Sequence, residues 1–546
     1  VGSAAAMRRG FLEGPGKRRT EEKKAREGDK REQEREEIDP EIPACARARR
    51  LLSLESGGLL QLHIDRRYGR FARLSRSCQA GSVLLRSENY CTVVADDHVN
   101  DICSHCMKGI DRGGGARCWR CTTLFCEEAC LEAAGPQHTL ECSVLCERQR
   151  SKGRLLTDDE TVRLVIRSLS RKLLQAEATL DEIHFDNIAE LLCHDSKLQD
   201  SSEFQHRVSD ARIILSWFPP VPGSPTPQEV ARLMLRIKFN AHPITNGSFK
   251  RIGLGIFPSA CMLNHACNYN AVYSFVPGGA ELIVRAARDL KEGEQIFYSY
   301  VDPFQQRSAR MKLIREGYFF QCACEWCAGT SGPERYFNSL VCNPWPDCDG
   351  HKCEAAILPD ANGDEGQAVV ICDACKRRHP ITEMNALNKS AEEMLESALE
   401  TMHKDATHGQ MKLSKFLESK EAQKLHPYHL LRYQANMALA VSCFTLGDVR
   451  MRPRYLRVAS DILAKWHEVD GSRLFSIQLG SMYLSCGTAL LQYVRSGSCS
   501  DKSNLISEAI LCANHAHSQF EVCCGENSLA VKQVDCLLGT LNRLAL

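Results

Sequence analysis

Between Leu59 and Val94 the apolar residues fall in short runs separated by polar and small ones. The segments L-Q-L-H-I, Y-G-R-F-A-R-L, G-S-V-L-L-R-S-E and Y-C-T-V-V read as strands, with a turn at Gln79-Ala80-Gly81. Further on the period lengthens. T-D-D-E-T-V-R-L-V-I-R-S-L predicts a helix capped by Thr157, with Val162, Leu164, Val165, Ile166 and Leu169 on its buried face. Helical patterning spans 155–236, broken only by F-P-P-V-P-G-S-P-T-P (Phe218–Pro227), which reads as a loop leading into E-V-A-R-L-M-L-R-I-K-F. From Ala391 onward the pattern is helical to the last residue. It has small residues at packing positions and segments that pair as helical hairpins, as in a tetratricopeptide-like array. Residues 1–45 are the opposite case: charges of both signs, and almost nothing apolar from Gly14 to Ile38. Such a segment cannot bury enough surface to fold alone and reads as a disordered tail. The patterning therefore predicts a multidomain α+β chain ending in an all-α lobe.

With 546 residues there is material for several cores, and a net charge of +1 gives no bulk attraction to nucleic acid. No apolar run is long enough to span a membrane. The 29 cysteines change the picture most. In the N-terminal two-thirds most stand in C-x-x-C-type pairs, which is metal spacing and not a disulfide framework. Cys443, Cys486, Cys512 and Cys536 lie in helical apolar patterns and read as small core residues. Both observations point to a reducing compartment, cytoplasm or nucleus; Lys17-Arg18-Arg19 is a short candidate nuclear address.

The densest cluster is Cys103-x2-Cys106, Cys118-x2-Cys121, Cys126-x3-Cys130 and His138-x3-Cys142. Eight soft ligands in four pairs make two tetrahedral zinc sites. With four protein ligands each, both are closed, so their role is to staple a segment too small for its own core. Arg112, Arg117 and Arg120 give this segment modest positive charge. A third site is suggested by Cys322, Cys324 and Cys327, three thiolates on one loop, with Cys267 available far upstream as the fourth ligand. Closing it would tie the Asn264-His265 loop to Tyr318 and Phe320. Cys342, Cys348, Cys353, Cys372 and Cys375 form a further set. Cys342, Cys348, Cys372 and Cys375 are the candidates for a zinc ribbon, with free thiols on a loop as the alternative.

N-H-A-C-N-Y-N (Asn264–Asn270) resembles the N-H-S-C-x-P-N loop of SET-domain lysine methyltransferases. C-A-C-E-W-C resembles their post-SET zinc loop, and the eight-ligand cluster resembles a MYND finger. Together these residues make the chain similar to the SET-and-MYND (SMYD) family, strongly over about 60–330 and more loosely beyond. The resemblance implies a SET β-fold split by a MYND finger and a helical insertion. The boundaries are a tail at 1–45, the first part of SET at 46–102, the finger at 103–142, the helical insertion at 143–235 and core SET at 236–302. The post-SET zinc loop follows at 303–328, the Cys-rich segment at 329–390 and the helical lobe at 391–546. It implies interleaved finger ligands: Cys103, Cys106, Cys126 and Cys130 on one zinc, Cys118, Cys121, His138 and Cys142 on the other.

For chemistry, the resemblance implies S-adenosylmethionine as cofactor and transfer of its methyl group to a lysine of a histone or non-histone protein. Tyr300 and Tyr318 take the catalytic positions. Tyr68, Gly69, Arg70, Asn240, Cys261, Leu263, Asn264, His265, Tyr300, Tyr318 and Phe320 take the cofactor-binding ones. Methyl transfer needs a neutral amine held in line within a channel that excludes competing nucleophiles. A desolvated aromatic wall lowers the lysine pKa, and a tyrosine hydroxyl can orient the amine. This chain departs from the family pattern at Arg67, where a glycine is expected, and at Cys261, Ala266 and Tyr269. A catalytically weak or silent adaptor, binding partners through the finger and the helical lobe, is therefore the alternative from another class. Pro-rich peptides and nucleic acid are both open as finger ligands, and the expected state is a monomer.

Overall fold

The computed structural model describes residues 45–65, 69–111, 113–151, 159–175, 179–198, 200–220, 223–276, 278–279, 281–328, 337–342, 353–356, 369–371, 378–469, 472–499 and 501–546. The tail expected at the N-terminus, Thr157, Arg67 and Tyr68 lie outside these residues.

A helix, α1 (Ala46–Glu55), precedes the first hairpin, β1 (Leu60–Asp65) with β2 (Gly69–Leu74), paired from Leu60↔Leu74 to Asp65↔Gly69. Gly69 has φ +64°, a left-handed conformation that a Cβ would disfavour, which explains the glycine at the end of this turn. β3 (Val83–Glu88) and β4 (Cys91–Val94) enter two separate three-stranded sheets. Before those sheets are completed the chain departs into the finger: β5 (Ala116–Arg117), β6 (Leu124–Phe125) and the helix α2 (Glu128–Arg150). It continues through the insertion helices α3 (Asp159–Leu174), α4 (Phe185–Ala189), α5 (Asp195–Leu198), α6 (Ser202–Ser216) and α7 (Pro227–Asn240). α7 starts where the Pro-rich run ends. Thr226 and Glu229 close a capping box around Pro227, so the proline stands in the first turn, where its missing N–H would have had no partner within the helix.

The sheets are then finished. β7 (His242–Thr245) and β8 (Arg251–Ile256) give the order β4-β8-β7. β9 (Asn264–His265), β10 (Ala271–Phe275), β11 (Glu281–Ala286) and β12 (Phe297–Tyr298) follow, with β10-β11-β3 as the other sheet. β9 and β12 pair in parallel, Asn264 with Phe297 and His265 with Tyr298. Next come α8 (Arg307–Tyr318) and the short α9 (Glu325–Ala328). Thus the segment read as a zinc loop over 303–328 is mostly helical, with Arg310, Ile314 and Tyr318, four residues apart, on its buried face.

The C-terminal lobe starts at Ile381 and not at Ala391. It comprises α10 (Ile381–Lys404), α11 (Ala406–Glu418), α12 (Lys420–Lys424), α13 (Leu430–Leu446), α14 (Arg452–Trp466), α15 (Ile477–Arg495), α16 (Lys502–Cys524) and α17 (Leu529–Ala545). Successive long helices pack on one another, as the helical hairpins predicted, and Cys443 and Cys486 are core residues as expected. Cys536, placed with them from the sequence, is exposed.

One core fills the SET sheets and the faces of α1, α3 and α7. A second is shared: Tyr269, Phe304, Tyr318, Phe320 and Trp326 pack with Trp466, Leu463 and other residues of the helical lobe. Aromatic rings make that joint, with Phe304 4.4 Å from Tyr433, Trp326 5.2 Å from Trp466 and Phe337 4.4 Å from Trp466, all edge-on. The helical lobe therefore braces the segment that closes the site.

Candidate active site and zinc centres

Among the described residues three groups of cysteine and histidine side chains converge, and within each the ligand atoms all lie within 4.8 Å of one another: Cys103, Cys106, Cys126, Cys130; Cys118, Cys121, His138, Cys142; and Cys267, Cys322, Cys324, Cys327. A tetrahedron of thiolates about zinc has edges of ~3.8 Å. The observed separations fit: Cys106 to Cys126 is 3.7 Å, Cys118 to Cys142 is 3.6 Å, and Cys267 to Cys327 is 3.5 Å. The ligand pairs of the finger interleave as the resemblance implies. His138 and Cys142 do not sit on a tight turn. They are one helical turn apart on α2, beyond its kink at Gly135, so a helix face delivers both. Cys342 stands across from Cys353 in a short ladder, while Cys348, Cys372 and Cys375 lie outside the described residues.

A buried carboxylate helps to fasten the finger to the SET sheet through α3. Glu141 on α2 is 4% exposed and receives the Arg167 guanidinium of α3 at 3.0 Å. Arg167 also donates to the carbonyls of Thr92 and Ser104.

The post-SET tetrad joins distant parts of the chain, Cys267 from the loop after β9 and the other three from the turn after α8. Around it lie the expected site residues. The stretch 294–298 connects with β2 at one end, through Leu74 N–H to the Glu294 carbonyl and Ile296 N–H to the Ala72 carbonyl, and with β9 at the other. Asn270, 2% exposed, clamps it: the amide donates to the Gln295 carbonyl (2.8 Å) and to Glu294 (3.1 Å), and accepts from Phe297 N–H (2.8 Å). Sequence reading passed over Asn270, although it is the last residue of the quoted loop.

Tyr300 is thereby set in a row of aromatic rings. Its centroid is 5.4 Å from Tyr298, 5.1 Å from Tyr318 and 5.2 Å from His265, and Tyr273 continues the row 5.4 Å beyond Tyr298. The Tyr300 hydroxyl donates to the Leu263 carbonyl at 2.8 Å. Tyr298 is anchored by His242 Nε2 at 2.9 Å. Burial pushes the phenols of Tyr298 and Tyr300 well above the usual value and raises that of Tyr318, so all three stay protonated near neutral pH. Burial likewise holds His242 well below the usual histidine value, and neutral. A cavity of about 180 Å³ opens beside the row, lined by Tyr269, Tyr273, Tyr298 and Pro303 on one side and by Ser476 and Gln478 of the helical lobe on the other.

The His265 ring is engaged within the protein: Nδ1 accepts from Tyr300 N–H at 3.0 Å, and Nε2 lies 3.5 Å from Cys267 Sγ. Burial lowers its pKa to about 4, so the ring is neutral, and with Nδ1 accepting, the proton is on Nε2. Both nitrogens are directed inward, linking the zinc ligand to the backbone of Tyr300.

On the opposite side α8 ends at Tyr318, and Phe319 adopts φ +59°, a left-handed cap rare for an aromatic residue. The reversal turns Tyr318 and Phe320 into the site, each 6% exposed, and sends Phe319 outward onto Phe239 and His194 of the insertion. Lys197 Nζ holds the Phe319 carbonyl at 2.7 Å. The insertion thus closes over the site, a contact no sequence pattern announced.

Among the buried polar atoms of the described residues that have no hydrogen-bond partner are Arg70 Nη2, Glu190 Oε2 and Asn240 Oδ1. Arg70 is held by the Glu190 carbonyl at 2.8 Å, Asn240 Nδ2 by the carbonyls of Leu192 (3.0 Å) and Arg236 (2.8 Å), and Cys261 Sγ reaches the Asn240 carbonyl at 3.3 Å. One donor and two acceptors left over in one neighbourhood fit a ligand with both carboxylate and ammonium groups, the terminus of S-adenosylmethionine. Glu190 is a candidate that the sequence pattern does not single out. Asn264, 6% exposed, is the neighbour of His265 on β9.

Residues 31–301 match the family model of the SET domain. Among curated proteins the chain is similar to N-lysine methyltransferase SMYD2-B of Danio rerio, 29% identical over 266 residues, covering 48% of this chain and 58% of that one. It is 28% identical over 260 residues to N-lysine methyltransferase SMYD2 of Homo sapiens, covering 47% and 58%. To Histone-lysine N-methyltransferase ASHR1 of Arabidopsis thaliana it is 24% identical over 367 residues, covering 66% and 73%. The chain thus spans 58% of the length of the SMYD2 relatives it matches. A SET core interrupted by a finger with two four-ligand clusters and closed by a third cysteine tetrad, together with these likenesses, makes the chain similar to the SET-and-MYND proteins.

Proposed function

We propose that the protein is an S-adenosylmethionine-dependent protein-lysine methyltransferase. The observation that carries the reading is the packed row of Tyr298, Tyr300 and Tyr318, tied through His265 to the Cys267 tetrad, in a chain that also leaves buried atoms of Arg70, Glu190 and Asn240 without partners. The cofactor, when bound, supplies an electrophilic methyl group on a sulfonium.

In this reading Glu190 and Asn240 accept from the ammonium end of the cofactor, Arg70 donates to its carboxylate, and Asn264 and Phe320 hold the remainder. Tyr68, outside the described residues, is kept as a candidate for the same role. His265 acts as a positioning residue, since its ring bonds point inward. The tyrosine row takes up the aliphatic stem of a lysine and excludes bulk water, which favours the neutral amine. Tyr300 already donates its proton to the Leu263 carbonyl, so its oxygen is left to accept from the amine and fix its direction. Protonated phenols are not bases at neutral pH; the ammonium proton therefore leaves to water before the amine attacks. Held this way, the neutral amine would be the nucleophile for the methyl group that the cofactor supplies.

The substrate is a lysine of a histone or another protein, in cytoplasm or nucleus. Among the described residues no helix is long and apolar enough to cross a membrane. Transfer of labelled methyl from S-adenosylmethionine to lysine-containing proteins, with Tyr300→Phe as control, tests the reading. Absence of transfer by a folded protein that also fails to bind the cofactor leaves the adaptor, with Pro-rich peptides or nucleic acid as finger ligands to be tried next. The finger offers one feature for that role: Trp119, between two zinc ligands, is 88% exposed.

A further inference from the structure

We propose that Arg310 is a positioning residue of the post-SET metal centre, donating its Nε–H to the Cys267 thiolate and offsetting the charge of the tetrad. Metal retention and the placement of Tyr300 then both depend on it. The inference rests on reading this tetrad as a zinc site.

Arg310 is 0% exposed, in the middle of α8. A buried guanidinium persists only where its donors and its charge are met. Here Nε points at Cys267 Sγ, 3.3 Å away, and Nη1 at the carbonyls of Pro303 and Gln305. The Trp466 ring of the helical lobe lies over it, 5.6 Å from Cζ to centroid, and the Asp302 carboxylate is a near charge. A dication held by four thiolates keeps a net negative charge that must be balanced in a core, and N–H donors on the sulfurs are the usual means. Cys267 receives two: Arg310 Nε–H from α8 and His265 Nε2–H, at 3.5 Å, from β9. Since His265 Nδ1 in turn accepts from Tyr300 N–H, one line of contacts runs from the helical lobe through Arg310, Cys267 and His265 to the catalytic tyrosine.

The test is chelator challenge of the purified full chain, with zinc release followed for wild type, Arg310→Met and Arg310→Lys. Wild type should hold at least three zinc ions, one of them lost in Cys267→Ser; a wild-type content that Cys267→Ser leaves unchanged would overturn the tetrad reading itself, independently of Arg310. In Arg310→Met one ion should leave ~10-fold faster or more, while the two finger ions leave at wild-type rates and serve as the control. Three ions released as in wild type overturn the proposal. If Arg310→Met does not fold, Arg310→Lys decides: faster loss of the third ion supports the assignment, wild-type loss overturns it. If neither folds, wild type reloaded with cadmium-113 and labelled with nitrogen-15 arginine gives the answer. One arginine Nε–H scalar-coupled to cadmium supports the hydrogen bond, a signature that a merely space-filling arginine lacks. No coupled arginine overturns it.

Discussion

Replacing Asn270 by alanine should loosen the floor of the active site while leaving the finger untouched. The side chain is 2% exposed and makes three hydrogen bonds, to the Gln295 carbonyl, the Glu294 carboxylate and the Phe297 amide. Glu294 retains Arg288 and the Lys291 amide after the change. The two backbone groups lose that partner without gaining water. A net bond is worth about 1 kcal/mol and a buried group left unpaired costs about 1–3 kcal/mol, so the sum is ~3–5 kcal/mol. It falls on a ladder of only two residue pairs, Asn264↔Phe297 and His265↔Tyr298, too short to hold itself. In a chain with several cores a single unfolding free energy is poorly defined, so local hydrogen exchange is the proper assay. A loss of ~3 kcal/mol corresponds to ~100-fold faster opening of peptides covering 294–300, with finger peptides at wild-type rates. Asn270→Asp should be at least as damaging, because the amide nitrogen that donates to a carbonyl and a carboxylate becomes an oxygen that can only accept. Wild-type protection of 294–300 in Asn270→Ala would refute the clamp.

Other consequences can be measured directly. Tyr300→Phe should lower methyl transfer ~100-fold with zinc content and circular dichroism unchanged, whereas Cys267→Ser should lose one zinc ion and cofactor binding together; equal structural defects in both would count against the assigned roles. Glu141→Ala strands the buried Arg167 charge and should cost ~3–5 kcal/mol at the finger–sheet joint, seen as rapid proteolysis within 103–150 while the helical lobe stays resistant. Burial depresses His429 to about 3 and His467 to about 4, below the usual histidine value near 6.5. The unfolded lobe therefore binds protons that the folded lobe refuses. Stability is full above pH ~6.5, falls as pH drops through that value, and the loss is complete only below the folded pKa values. The lobe's melting temperature should fall between pH 7 and pH 4.5, less steeply in His467→Gln; an unchanged slope in that variant would remove His467 from the explanation.

Much of this architecture was legible because it is written in local chemistry. Paired cysteines at zinc spacing have few other uses, so the finger and the post-SET tetrad could be read from spacing and then paired through the family likeness. The strands from Leu59 to Val94 and the helical lobe followed from their periods. What escaped notice depends on which distant groups meet. Asn270 is one polar residue among several in its loop until the Gln295 carbonyl and Phe297 amide arrive across from it. Arg310 cannot be told from Arg307 or Arg315 by charge, and only the buried face of α8 singles it out. Glu190 lies in an insertion whose pattern reports helix and nothing of the ligand side. His265 was found, but its ring's direction is set by Cys267 and Tyr300, which sequence adjacency does not show. The departures at Ala266 and Tyr269 are absorbed as buried residues; Tyr269 packs in the core shared with the helical lobe.

The most direct test of the central claim is calorimetric titration of the zinc-replete protein with S-adenosylmethionine, beside Asn264→Ala. Saturable binding at one site in the micromolar range is the expected result, abolished or greatly weakened in a variant that keeps its zinc and its fold. A folded wild-type protein carrying all its zinc but showing no binding heat, and no displacement of a labelled cofactor, would contradict it.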